Sequence, residues 1–333
     1  MVQTTPLVDR FGRVAADLRV SLTDRCNLRC SYCMPAEGLA WLPDERVLTD
    51  DEVVRLIGIG VTQLGIREVR FTGGEPLVRR GLAGIVARTR ALDAGLELSL
   101  TTNGLGLARL ARPLAEAGLD RVNVSLDSIR PETFHRITRR DRLHDVLEGL
   151  EAAADAGLGP IKVNAVLLRD VNEDQAAELL EWAVRGGYQL RFIEQMPLDA
   201  QHGWTRETMV TAAETLARLE KEFDLTPATE PRGSAPAELF VVDGGPATVG
   251  VIASVTRPFC GDCDRVRLTA DGQVRNCLFA REESDLRAAL RAGLPDEQIA
   301  QRWVAAMAGK RAGHGIDDPT FLQPDRPMSA IGG

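Results

Sequence analysis

Six times between Leu18 and Glu222 a short apolar run is followed by a segment with helical spacing, and this alternation constrains the fold more than any other feature of the chain. The strand-like runs lie at 18–22, 68–72, 96–101, 121–127, 161–168 and 189–196. Helices are predicted over 49–65, 80–94, 105–117, 131–157, 173–186 and 206–222. The first of these has Thr49 as a natural N-cap, with Asp50, Asp51 and Glu52 in its first turn, where carboxylates favour the helix dipole. Repeated βα units imply an α/β fold, a parallel sheet covered by helices. Six units fall short of the eight that close a full barrel. The expected fold is therefore a partial (βα)6 TIM-like barrel. A doubly wound sheet remains the structural alternative, because periodicity alone does not separate the two.

The character changes at about residue 225. "TPATEPRGSAPAE" is rich in proline, glycine and small residues, as loops and linkers are. Strand-like "LFVVD" and "ATVGVIASVT" follow, and "DRVRLTADGQVRNCLF" reads as a hairpin turning on Asp-Gly. Two short helices and a tail ending "MSAIGG" complete the sequence. The expected division is 1–224 and 225–333. With 333 residues and 44% hydrophobic content, the chain can build one large core and an appendage.

A net charge of −8 argues against duplex nucleic acid as a partner. It leaves an acidic small molecule open, because local arginines outweigh distant charge beyond a screening length of about 8 Å. "MVQTTPLVDR" lacks the apolar core of a signal peptide, and no run approaches the ~18 apolar residues of a membrane span. The expected location is the cytoplasm, with no membrane partner. A reducing compartment disfavours structural disulfides, so the six cysteines point to metal or redox chemistry.

Those cysteines form two triplets. Cys26, Cys30 and Cys33 follow the first strand with spacing Cys-x3-Cys-x2-Cys, and Cys260, Cys263 and Cys277 span the C-terminal hairpin. A closed zinc site wants a fourth ligand, and none of the four histidines stands near either triplet in sequence. A zinc knuckle or ribbon completed from afar stays open on spacing alone. Three thiolates can instead hold three irons of a [4Fe–4S] cluster and leave the fourth iron free for something else. Arg265 and Arg267, two residues apart on one strand face, could clamp a phosphate or protect a solvated edge strand. No segment matches a phosphate-binding loop or a dinucleotide fingerprint.

The first triplet, with aromatic Tyr32 before its last cysteine, resembles the radical S-adenosylmethionine (SAM) superfamily. The longer set "DRFGRVAADLRVSLTDRCNLRCSYCMP", "RFTGGEPL", "TTNG", "VSLDS", "FCGDCDRVRLTADGQVRNCLF" and the terminal "IGG" resembles the molybdenum cofactor biosynthesis protein A family, the GTP 3′,8-cyclases. The likeness runs from about Asp9 to Gly333. Asp264 departs from it, standing where the family more often carries an amide.

The resemblance implies a lyase that uses two [4Fe–4S] clusters and SAM on GTP in the first step of molybdopterin synthesis. A 5′-deoxyadenosyl radical removes the C3′ hydrogen of the ribose, and C3′ then joins C8 of guanine. One further electron and proton give 3′,8-cyclo-7,8-dihydro-GTP. The C-terminal iron–sulfur domain would complete the barrel. By resemblance, Cys26, Cys30 and Cys33 hold the first cluster, and Cys260, Cys263 and Cys277 the second, whose open iron takes the guanine. Tyr32, Gly74, Ser125 and Met196 contact SAM; Arg19, Arg70, Thr101, Lys162, Arg265 and Arg267 bind GTP, with Arg191 an extra contact. Gly332 and Gly333 enter the site and take part in catalysis. The implied partners are an external electron donor and the next enzyme of the pathway; a homodimer is left open. The alternatives are another two-cluster radical SAM enzyme, acting on a peptide, and a zinc-stabilised nucleotide-binding regulator.

Overall fold

The computed structural model describes residues 4–333. A small antiparallel hairpin of β1 (Leu7–Val8) and β2 (Val14–Ala15) precedes the main sheet. That sheet begins with β3 (Asp17–Ser21), β4 (Glu68–Thr72), β5 (Glu97–Thr102), β6 (Arg121–Ser125), β7 (Lys162–Val166) and β8 (Gln189–Ile193). Each pairs in parallel with the next. The intervening helices are α1 (Asp50–Leu64), α2 (Leu82–Arg90), α3 (Leu107–Glu116), α4 (Pro131–Thr138), α5 (Leu143–Asp155) and α6 (Ala176–Arg185), and α7 (Ala212–Leu219) follows β8.

The local chemistry accounts for these elements. Thr49 and Glu52 close a reciprocal capping box on α1, and Gly65 ends it in the left-handed region. Its Val53, Leu56, Ile57, Gly60 and Leu64 recur at helical spacing and are buried. All but Gly60 share one core cluster with Leu18 and Val20 of β3, Val69 and Phe71 of β4, and Leu98 and Leu100 of β5.

The other face of the sheet is polar. Register places Arg19 opposite Arg70, Arg70 opposite Ser99, Thr101 opposite Asn123, and Asn164 opposite Arg191. Strands of parallel sheets covered on both faces are ordinarily apolar on both. A face this polar is built to meet a polar ligand.

The C-terminal strands extend the sheet at both ends. They are β9 (Leu225–Pro227), β10 (Glu238–Val242), β11 (Thr248–Ile252), β12 (Arg265–Leu268), β13 (Gln273–Arg275) and β14 (Ser284–Asp285). β11 joins β8 in parallel and carries antiparallel β10 and β9. β12 joins β3 in parallel and carries antiparallel β13 and β14. The resulting order across twelve strands is β14-β13-β12-β3-β4-β5-β6-β7-β8-β11-β10-β9. Helices α8 (Leu286–Arg291), α9 (Asp296–Ala308) and α10 (Met328–Ile331) complete the fold, and α9 buries Ile299, Trp303 and Met307 in the main core.

Two predicted helices need correction. The helix expected over 131–157 is two, α4 and α5, divided at Arg139, whose φ of 57° is left-handed. The break has a use. Arg29 and Ser31 donate their backbone N–H groups to the open carbonyls of Thr138 and Ile137 at 3.0 and 2.9 Å, and Arg139 donates from Nη1 to the carbonyls of Arg29 and Met34 at 2.7 and 3.1 Å. A continuous helix would have consumed the carbonyls that now hold the cysteine loop. The helix expected over 206–222 is confined to α7, where Thr211 and Glu214 form a capping box.

Candidate active site

The first cysteine triplet sits on the loop that leaves β3. Cys33 and Met34 donate their N–H groups to the Cys30 carbonyl at 2.9 and 3.0 Å, which curls the loop. The Thr-Gly-Gly-Glu segment after β4 docks beside it, with Gly74 donating to the Thr23 carbonyl at 2.7 Å and Glu75 to the Arg25 carbonyl at 2.8 Å. A Cβ at Gly74 would lie 2.4 Å from the Asp24 and Arg25 carbonyl oxygens, so only glycine allows this approach.

All six cysteines are free and half-buried. Burial pushes the Cys26 thiol up to about 11 and the Cys33 thiol up to about 12, and Cys30 well above its ordinary value. For Cys30 and Cys33 the neighbouring thiols add to the effect, which places the three close together. Such thiols ionise only against a strongly cationic ligand, as iron in a cluster is. Among the described residues no group of three His, Cys, Asp or Glu side chains forms a single-ion site. A cubane cluster needs no such convergence, since each thiolate takes a different iron. The donor set fits the cluster.

Cys260, Cys263 and Cys277 line the same cavity as Cys33. Burial raises Cys263, but Lys310 and Arg265 outweigh it and hold the thiol below its ordinary value. Lys310 Nζ stands 3.5 Å from Cys263 Sγ, and Arg265 Nη1 3.9 Å. Burial raises Cys260 and Cys277, and the other thiols of the triplet add to it. This triplet too has the composition and proximity for a cluster.

Between the triplets lies the cationic row. Arg267, Arg19 and Arg70 occupy equal register on three adjacent strands, which sets their backbones about 4.8 Å apart from strand to strand. Arg267 is buried and Arg19 largely so, and Asp17 lies beneath, its Oδ2 at 3.7 Å from Arg19, 3.9 Å from Arg70 and 3.6 Å from Arg265. One carboxylate does not neutralise four guanidinium groups. Burial and then Arg70 push Arg19 well below the arginine range, and burial brings Arg267 down to about 10. Burial and neighbouring arginines bring Arg191 down to about 9 and Lys162 to about 8. The Nε atoms of Arg19 and Arg265 and Oδ1 of Asp17 are buried without a hydrogen-bond partner. Crowded, desolvated and unsatisfied cations make a site for a polyanion.

The cavity brings together most of the residues expected from sequence: Arg19, Tyr32, Arg70, Thr101, Ser125, Arg191, Met196, Arg265, Arg267 and Gly333, with one cysteine of the first triplet and all of the second. Gly74, Lys162 and Gly332 lie outside its lining, although the Gly332 carbonyl accepts from Arg267. Asp264 stands just before β12, its Oδ1 3.8 Å from Arg265 Nη2. Sequence reasoning missed Asp17, Asp127 and Lys310. Apart from Arg19 beside Asp17, their partners are remote in sequence, and only Asp127 carried a signal, its place in "VSLDS".

Asp127 accepts from the Tyr32 hydroxyl at 2.9 Å and from the Val166 N–H at 2.8 Å. Burial raises its carboxyl from 3.8 to about 6. The folded state thus holds this proton more tightly than the unfolded chain does. Stability from this group is fully present below about pH 4 and is lost as pH rises through about 6. Asp127→Asn keeps both hydrogen bonds by a reversed Tyr32 hydroxyl and removes the dependence. We expect the variant to gain about 2 kcal/mol on wild type between about pH 4.5 and about pH 7.5. Denaturant unfolding of the cluster-free proteins at about pH 4.5 and about pH 7.5 checks it.

Comparison with known proteins agrees with this geometry. Residues 20–183 match the Radical SAM superfamily and residues 188–316 match Molybdenum Cofactor Synthesis C. The chain is 68% identical to a GTP 3′,8-cyclase of Streptomyces coelicolor, over 98% of this chain and 96% of that protein. This chain belongs to the GTP 3′,8-cyclase family. It is also 66% identical, over its whole length and 95% of the relative's, to a GTP 3′,8-cyclase of Mycobacterium sp. (strain KMS). Among solved structures, Streptococcus suis SuiB bound to S-adenosylmethionine shares the fold with a TM-score of 0.60 at 14% identity, over 90% of this chain and 69% of SuiB. As a member of the cyclase family the chain is a radical SAM enzyme with iron–sulfur chemistry, and its fold is α/β on a mostly parallel sheet. Among the described residues no helix is long and apolar enough to cross a membrane.

Proposed function

We propose that the chain converts GTP to (8S)-3′,8-cyclo-7,8-dihydro-GTP, the first step of molybdenum cofactor biosynthesis, at the cavity between the two cysteine triplets. The observation that carries this reading is the largely buried, register-matched row of Arg267, Arg19 and Arg70, an anion site set between two cluster-binding triplets. A peptide substrate gives no reason for that row, and a zinc-stabilised regulator gives none for two three-thiol sites. When bound, the first cluster and SAM supply a carbon-centred radical.

The chain's own residues hold the reactants. Cys26, Cys30 and Cys33 would hold the first cluster, and Cys260, Cys263 and Cys277 the second, on the side of the cavity where guanine binds. Tyr32, Gly74, Ser125 and Met196 contact SAM, and Asp127 fixes the Tyr32 hydroxyl. Arg19, Arg70, Arg265 and Arg267 take the triphosphate; Thr101, Lys162 and Arg191 complete the GTP site. Gly332 and Gly333 act at its edge, where Thr72 Oγ1 donates to the Gly333 carbonyl at 3.0 Å.

At the level of architecture, the six βα units form a partial barrel, residues 1–224, completed by an iron–sulfur unit of residues 225–333 whose strands join both ends of the sheet. An external one-electron donor reduces the enzyme, the product passes to the next enzyme of the pathway, and the reaction takes place in the cytoplasm. Whether the chain works as a homodimer does not alter this site.

The test is anaerobic turnover of the reconstituted enzyme with SAM, reductant and either GTP or ATP, followed by mass spectrometry. A cyclised product from GTP and none from ATP is expected. 5′-Deoxyadenosine without any product from GTP would reopen the substrate. Deleting Gly332 and Gly333 should leave cluster content intact and abolish cyclisation; unchanged turnover would remove them from the mechanism.

A further inference from the structure

The C-terminal segment reaches the cavity over a long irregular stretch held by scattered contacts, among them Arg13 to the Arg311 and Ala312 carbonyls, His314 to the Ser254 carbonyl and Gln323 Nε2 to the Asp199 carbonyl, with Ile316 buried. From Lys310 to Pro327 it contains neither helix nor strand, and connections of this length are ordinarily costly to order. At its end the contacts are specific. Met328 donates its N–H to the Leu198 carbonyl at 2.9 Å, the Ser329 N–H donates to the Cys33 thiol, and the glycine carbonyls meet Arg267 and Thr72. Gly332 has φ 81°, and a Cβ there would lie 2.6 Å from Thr72.

Just before α10 stands Arg326, between Pro324 and Pro327, which stiffen the backbone on either side. Its Nη1 and Nη2 donate to Asp271 Oδ1 and Oδ2, each at 2.8 Å. Nη2 also lies 3.0 Å from Glu283 Oε2. Asp271 is wholly buried, in the turn between β12 and β13, where Thr269 Oγ1 donates to it at 2.6 Å. Glu283 takes a second bond from Arg275 at 2.5 Å. Arg46 is the other cation near Asp271, at 3.8 Å and half exposed. The same hairpin leads directly into Cys277.

We propose that Arg326, Asp271 and Glu283 form a clamp that seats the C-terminal glycines in the active site and ties their placement to the hairpin that carries Cys277. Arg326 is a positioning residue. It touches neither cavity nor cluster, and it acts through α10 on Gly332 and Gly333. A bidentate pair to a buried carboxylate fixes direction as well as distance, and this one lies two residues before α10. The proposal rests on the reading that the glycines work in the cavity, and its test separates the two.

The full-length reconstituted enzyme is compared with Arg326→Gln, Arg326→Lys and the neutral double variant Arg326→Gln/Asp271→Asn. Amide hydrogen exchange of the 328–333 peptide and trimming by carboxypeptidase report seating without reference to activity; iron content, kcat and the KM for GTP are measured alongside. Arg326→Gln should speed exchange of the terminal peptide by about 10- to 100-fold and lower kcat more than it raises KM, with Arg326→Lys restoring part of the protection. Should Arg326→Gln alone lose iron, because Asp271 is left buried and unpaired, the double variant decides. A released tail with iron retained supports the clamp. A protected, untrimmed tail in both Gln-bearing variants overturns it. A released tail with kcat unchanged supports the clamp and overturns the catalytic role of the glycines.

Discussion

Cys30→Ser should abolish both 5′-deoxyadenosine and cyclised product, lowering kcat by more than about 1,000-fold. The reason is the chemistry of the first triplet. Its half-buried thiols are pushed above the ordinary thiol value, so they bind only as a set against a cationic cluster. A serine hydroxyl at Cys30 is a poorer and less acidic ligand, and the two remaining thiols are free to reprotonate. Cys263→Ser separates the two sites. It removes the one cysteine held low by Lys310 and Arg265 and leaves the first triplet untouched. Iron should fall by about half, from about eight atoms per chain. SAM cleavage should continue and cyclisation should stop. Iron analysis with product detection by mass spectrometry checks both variants. Cyclisation surviving Cys263→Ser would show that the second triplet does not take part in the reaction.

Arg19→Met should make the ligand-free protein more stable and the enzyme worse. Arg19 is largely buried among like charges, its Nε has no hydrogen-bond partner, and burial with Arg70 depresses it well below the arginine range. Replacing it by an apolar chain of similar length removes a desolvated cation and relieves Arg70 and Arg267. Burying a charge that one shared carboxylate compensates only in part costs several kcal/mol, so thermal unfolding of the variant should move upward. GTP loses charge-assisted contacts of about 1.5–3 kcal/mol, and KM should rise by about 10- to 100-fold. Opposite signs for stability and affinity mark a residue kept for its ligand. A variant that loses stability and keeps its KM would show that Arg19 serves the fold.

Much of this was legible in the sequence, for physical reasons. The six βα units announce themselves by period, and the cysteines and arginines of the site are adjacent in sequence to the strand ends that carry them. The polar sheet face could be anticipated from Glu68, Arg70 and Thr72 and from Ser99 and Thr101, since residues two apart on a strand share a face. What stayed hidden depends on partners distant along the chain. Asp17 reads as an ordinary strand residue until β12 brings Arg265 and Arg267 beside it. Lys310 lies far in sequence from the thiol it faces. The break at Arg139 runs against the local helical pattern because the cysteine loop claims the carbonyls there. The two-residue strands β1, β2 and β14 are too short to leave a period. That β11 and β12 join opposite ends of one sheet is a matter of register, which a linear reading divides off as a separate C-terminal unit.

The most direct test of the cyclase reading uses GTP carrying deuterium at C3′. The reconstituted enzyme, given SAM and a reductant without oxygen, should place one deuterium in each 5′-deoxyadenosine formed and release a cyclised product that lacks it. Unlabelled 5′-deoxyadenosine beside unchanged, fully labelled GTP would contradict the assignment of this cavity to hydrogen abstraction from the ribose.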